Sequence, residues 1–172
     1  MGLIIEEMQL APNAKAAAEY VYAAHPDAVF TSGRRDARGQ ARAMAANVIR
    51  YGSAWVRDTY RDQAMVALLM TYTEEHVEET SDVIRLANGF YETLIVHYAG
   101  QLTRFPHLRG DAFDLAWPRL GNGLIDRPRG EAICKTIEQV PVQLGLKMIL
   151  KKEGQLDVIH AEFAHAVEAV QI

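Results

Sequence analysis

Three observations predict an α+β fold, in which a small, mainly antiparallel sheet packs against several helices. An alanine-rich and then continuously helical pattern fills most of residues 12–100. A stretch with a period of two follows at residues 112–117, and two late apolar runs, 146–150 and 156–163, are separated by turn residues. Helices gathered before a compact set of strands are the signature of segregated α and β layers rather than of alternating βαβ units.

Taken in order, residues 12–25 are rich in alanine and predict a first helix, closed by the His25-Pro26-Asp27 turn. Ala28-Val29-Phe30-Thr31 is a short apolar and β-branched run and predicts a strand. Ser32-Gly33-Arg34-Arg35-Asp36 turns the chain, and Asp36 is placed to cap a helix over residues 37–50 that ends at Gly52-Ser53. Residues 55–100 are helical throughout. Ala64, Val66, Ala67, Leu68, Leu69 and Met70 are assigned to the core, and Glu74, Glu75, Glu78 and Glu79 to a solvated face. Ser81-Asp82 caps a second long helix reaching about His97, and His76 and His97 read as surface and core residues.

Residues 112–117 alternate small or acidic side chains with large apolar ones. A strand there puts Phe113, Leu115 and Trp117 in the core and Asp114 on the opposite face. A loop is expected at 118–130, a helix at 131–144 that Pro141 cuts short, and a hairpin turning at Lys151-Lys152-Glu153-Gly154. No repeat, low-complexity segment or linker interrupts residues 1–172, so a single domain is expected.

Composition narrows the function classes. The chain of 172 residues is 49% hydrophobic and 23% charged, which is ordinary for a globular protein with a sizeable core. Its net charge of −4 is not the basic footprint of a nucleic-acid binder. The single cysteine, Cys134, excludes an intramolecular disulfide and a cysteine-rich metal site, and its Ala-Ile-Cys-Lys-Thr-Ile setting reads as the interior of a helix. No run approaches the roughly 18 apolar residues of a membrane helix. The N-terminal Met-Gly-Leu-Ile-Ile-Glu-Glu-Met carries acids where a signal peptide has positive charge, so the expectation is synthesis in the cytoplasm without an export signal.

The chemistry concentrates at Phe105-Pro106-His107-Leu108-Arg109-Gly110-Asp111-Ala112-Phe113-Asp114. A histidine on a loop and an aspartate on the strand after it can supply two metal ligands; on spacing alone, a loop histidine and a backbone-bonded aspartate is the better description. His160 is the third candidate, in Leu156-Asp157-Val158-Ile159-His160-Ala161-Glu162-Phe163. A hydrolytic metal site also needs a nearby carboxylate, and two are available. In an ideal strand His160 and Glu162 share a face while Asp157 points the other way, so Asp157 reaches the site only from a turn or a bulge. Thr31-Ser32-Gly33-Arg34-Arg35 with Gln40 offers a guanidinium for a carboxylate or an oxyanion, or simply an exposed pair of arginines at a helix start. His165 is a further, weaker candidate ligand.

Ser32-Gly33-Arg34-Arg35 with Gln40, then His107 to Asp114, then Asp157 to His160 resemble, in this order, the zinc peptidases of bacterial cell-wall peptides. That family groups D-alanyl-D-alanine carboxypeptidases and dipeptidases with phage L-alanyl-D-glutamate endopeptidases. The resemblance covers about 30 residues at three anchors and implies a Hedgehog/DD-peptidase fold with one zinc ion. It implies His107, Asp114 and His160 as zinc ligands, Asp157 as general base, Arg35 rather than Arg34 as the oxyanion-stabilising residue, and Ser32 and Gln40 in substrate binding. The aspartate at position 157 is the form found in the phage endopeptidases. Phe105 stands where the family usually has serine, and Ile159 where an aromatic often precedes the last histidine. The implied activity is hydrolysis of an amide in peptidoglycan stem peptides by a monomeric endolysin, without nucleic-acid or membrane partners, reaching the wall after synthesis in the host cytoplasm. A D-alanyl-D-alanine carboxypeptidase or dipeptidase, or a non-catalytic phage structural or binding protein on the same fold, is the alternative.

Overall fold

The computed structural model describes residues 2–60, 63–76, 83–98, 105–151 and 157–165. It is α+β as expected, with seven helices and a four-stranded antiparallel sheet among the described residues. The chain packs as two compact units, Met1–Arg34 with Arg109–Ile172, and the intervening Arg35–Leu108.

The first unit holds α1 (Pro12–Ala24), β1 (Phe30–Ser32), β2 (Ala112–Ala116), α7 (Arg127–Glu138), β3 (Leu146–Leu150) and β4 (Val158–Phe163), with strand order β1-β2-β4-β3. One face of the sheet is the core. Phe30, Phe113, Leu115, Ile159, Ala161 and Phe163 lie there, almost wholly removed from water. Phe113 meets Phe30 edge-on and stacks on Phe163, with both centroid separations 5.4 Å. α1 joins this core through Ala14, Ala17, Ala18 and Val21, a stripe at helical spacing whose small side chains permit close packing. α7 contributes Ile133, Cys134 and Ile137. Burial pushes the Cys134 thiol up to about 11, so it is a neutral packing group rather than a nucleophile.

The helix α7 starts four residues before its expected position. Asp126 accepts a hydrogen bond from the Arg129 N–H, and Pro128 lies in the first turn, so the start expected to be loop is a capped helix. Gly130 lies inside this helix, and the Trp117 ring occupies the place where its Cβ would be, which calls for glycine there. The ring is fixed in turn by its Nε1, which donates to the Lys151 carbonyl at 2.8 Å. After Pro141 the chain makes only a 3-10 turn, Val142–Leu144.

The second unit holds α2 (Ala37–Tyr51), α3 (Ala54–Thr59), α4 (Gln63–His76) and α5 (Val83–Tyr98), and the one-turn α6 (Pro106–Arg109) begins at its end. Asp36 caps α2 as expected, with its carboxylate 2.6 Å from the Gly39 nitrogen. Met44, Val48, Trp55, Leu69, Leu86 and Phe90 form the centre of this unit's own core. Val66, Leu69 and Met70 are buried as expected, whereas Ala64 and Ala67 face solvent, because α4 buries one side only. The cap expected at Ser81-Asp82 and the turn at 152–154 lie outside the described residues, as do the side chains of Glu74, Glu75, Glu78, Glu79, His76 and His97. Among the described residues, no helix is long and apolar enough to cross a membrane.

Candidate metal centre

The second face of the sheet is built from the residues between the core positions. Register pairs Asp114 directly with His160, and Ala112 with Glu162. Facing residues in an antiparallel pair project to the same side, so β2 and β4 present Asp114, His160 and Glu162 together. β1 reaches this row through a bulge. Phe30 pairs with Leu115, yet Ser32 pairs with Asp114, so two steps along β1 match one along β2. A regular strand would put Phe30 and Ser32 on one face; the bulge sends Phe30 to the core and Ser32 beside Asp114.

His107 comes from α6 rather than from the loop expected for it. Pro106 opens that turn, and Gly110 closes it with φ +78, a left-handed conformation that favours glycine. The Gly110 carbonyl accepts from the Ala11 N–H at 2.9 Å, and a Cβ on Gly110 would come within 2.9 Å of that nitrogen. The glycine in the His107–Asp114 segment is therefore needed twice, for its dihedral and for its lack of a side chain.

His107, Asp114 and His160 are buried, at 7%, 4% and 4% exposure, and their ligand-capable atoms lie within 4.8 Å of one another. This group could hold a metal ion. Its donor set fits that role, since two imidazoles and one carboxylate leave one position of a tetrahedral ion open. The Asp114 carboxylate is 2.7 Å from His160 Nδ1, and the Glu162 carboxylate is 3.0 Å from His160 Nε2.

The remaining candidates are placed as follows. Asp157 is exposed and immediately precedes β4, so it lies outside the regular strand, and it has no hydrogen bond or ion pair among the described residues. Ser32 is buried, and its hydroxyl finds no hydrogen-bond partner among the described residues. In the second unit the Arg35 guanidinium donates to Gln40 Oε1 at 3.3 Å, and the Gln40 amide donates to the Tyr60 hydroxyl at 3.3 Å. Tyr60 packs edge-on against Trp55 and Phe105. Phe105 thus has a packing role in that unit's core. Tyr60 carries no sequence signal, because its link to Arg35 runs through a glutamine 20 positions away. The Arg35 N–H also donates to the His107 carbonyl at 3.0 Å, while Arg34 is exposed.

His165 is not part of the group. Its Nδ1 lies 2.8 Å from the carboxylate of Asp111, which is fully buried and also accepts from Arg109 at 2.5 Å. This cluster is a structural clamp, since the Asp111 carbonyl also receives the Phe163 N–H at the end of β4. Comparison with protein-family models, with curated proteins and with solved structures finds no match.

Proposed function

We propose that this protein is a zinc-dependent peptidase that hydrolyses an amide bond in peptidoglycan stem peptides, of the L-alanyl-D-glutamate endopeptidase type. The observation that carries the proposal is the buried His107–Asp114–His160 group. Two imidazoles with one carboxylate is a donor set suited to zinc, and it comes from the three positions that the family resemblance nominates.

His107, Asp114 and His160 would hold the ion. When bound, zinc supplies Lewis acidity toward a carbonyl and lowers the pKa of water toward neutrality. Asp157, exposed at the start of β4, is the carboxylate that would accept a proton from the attacking water and return it to the leaving amine. The Arg35 guanidinium, steadied by Gln40, would bear on the negative charge that develops at the carbonyl oxygen. Ser32, with a buried hydroxyl beside Asp114 in the register, would donate to the substrate. We further propose that the protein acts as a monomer on the cell wall after synthesis in a host cytoplasm, as the endolysins of the resembling family do.

Digestion of purified peptidoglycan with zinc-loaded protein, followed by mass spectrometry, tests this. Cleavage between L-alanine and D-glutamate is expected. Release of free D-alanine would redirect the activity to D-alanyl-D-alanine carboxypeptidase or dipeptidase action. Zinc binding without any cleavage would leave a non-catalytic binding protein. His107→Ala and His160→Ala should lose zinc and activity together, whereas Asp157→Ala should keep zinc and lose activity.

A further inference from the structure

Glu162 has no role in the mechanism above, yet it is the carboxylate in contact with a member of the metal group. Resting on the zinc reading, we propose that Glu162 is the positioning residue of that group: it holds His160 as the tautomer protonated on Nε2, with Nδ1 turned to Asp114. An imidazole has two nitrogens whose lone-pair directions diverge, and only an unprotonated nitrogen can bind a metal. In His160 each nitrogen has its own carboxylate: Nδ1 lies 2.7 Å from Asp114 Oδ1, and Nε2 lies 3.0 Å from Glu162 Oε1. Asp114 belongs to the metal group and Glu162 does not. The nitrogen on the Asp114 side is therefore the ligand atom, and the one facing Glu162 carries the proton.

The strand supplies the rest. Glu162 lies two residues after His160 on β4, so both project from the same face, and the residue opposite Glu162 on β2 is Ala112. So small a neighbour leaves the glutamate free to lean along its own strand to the ring. On the other side it is opposite Met148 of β3, which offers no charge. Its side chain is only 20% exposed, and His160 is its sole hydrogen-bond partner among the described residues. A largely buried carboxylate with a single partner is costly unless that bond is made, so the bond restrains the ring as firmly as it restrains the glutamate. The same geometry distinguishes this role from that of general base, because the Glu162 oxygen is engaged at the ring nitrogen away from Asp114. Carboxylates bonded to the distal nitrogen of a ligand histidine typically change metal affinity by about 10–100-fold.

The test measures zinc affinity by competition with a chromophoric chelator, alongside circular dichroism, on the full chain and its Glu162→Ala and Glu162→Gln variants. Glu162→Ala should bind zinc about 10–100-fold more weakly with an unchanged dichroism spectrum. Glu162→Gln should bind within a few-fold of wild type, because the amide oxygen still accepts from Nε2–H. Unchanged affinity in Glu162→Ala, or a Glu162→Gln variant as weak as Glu162→Ala, would overturn the assignment while leaving the zinc reading intact. Wild type that takes up no zinc would overturn both. Nitrogen-15 NMR of zinc-loaded wild type gives an answer that depends on no variant's folding: His160 should be protonated at Nε2, and protonation at Nδ1 would refute the proposal.

Discussion

If the ion is held by Asp114, a substitution that keeps its shape and removes its charge should uncouple zinc from folding stability. Asp114→Asn preserves volume at a site only 4% exposed, and its amide N–H can donate to the unprotonated His160 Nδ1, which lies 2.7 Å from the wild-type carboxylate. The metal-free cost is then at most that of one hydrogen bond, about 1 kcal/mol. For a chain of this size that lowers Tm by about 2–4 °C. Zinc acts on a different scale. A ligand at 100 times its Kd stabilises the folded state by about 2.7 kcal/mol, which should raise the wild-type Tm by about 5–11 °C. In Asp114→Asn the zinc-dependent rise should fall below about 1 °C, because the site has lost one of its three ligands. Thermal unfolding followed by circular dichroism, with zinc and with a chelator, measures both effects. An Asp114→Asn variant that gains as much from zinc as wild type would place the ion elsewhere and refute the reasoning.

Two further predictions concern the core behind the site. The Cys134 thiol is held near 11 by burial, above its ordinary value of 9.0. As pH rises past 9 the unfolded chain loses this proton first, so the contribution is fully present below pH 9 and is lost as pH passes 11. Denaturant titrations across that window should show wild type losing about 2–3 kcal/mol more than Cys134→Ala; parallel pH profiles would show that the thiol is not buried in solution. Gly130→Ala should destabilise by about 1–3 kcal/mol despite alanine's better helix propensity, because the new methyl enters the Trp117 ring position. A raised Tm for that variant, measured with tryptophan fluorescence, would mean that the ring yields.

Local signals in the sequence located most elements. The alanine-rich helix, the Asp36 cap and the two faces of β2 follow from spacing alone, since each depends on residues a few positions apart. The misplacements have physical causes. Residues 28–31 read as a strand, but the ladder takes Phe30–Ser32, because the bulge opposite Leu115 and Asp114 is set by pairing with a distant segment. The start of α7 is legible in Asp126-Arg127-Pro128, whereas a glycine inside the helix at position 130 is accounted for only by the Trp117 ring that occupies its Cβ position. At the candidate site, each member of the His107–Asp114–His160 group could be nominated from its motif. The burial of Asp114 on the face opposite Phe113 could not, nor could the contact between Glu162 and His160, because both depend on which strands lie side by side.

The hydrogen bond from the Arg35 N–H to the His107 carbonyl bears on the order in which the chain folds. β1 and β2 pair across the whole of Arg35–Leu108, and closing a flexible loop of roughly 80 residues costs about 4 kcal/mol beyond a constant. That bond joins the two ends of the inserted unit. Once the insert has folded, the two strands emerge from neighbouring points, and the connection behaves as a short one. Folding of the insert ahead of the ladder would then meet the entropy of bringing Ser32 to Asp114 through helix packing elsewhere. Truncations that unravel α2 against α5 should therefore slow assembly of the β1–β2 pair, although none of the removed residues belongs to the sheet.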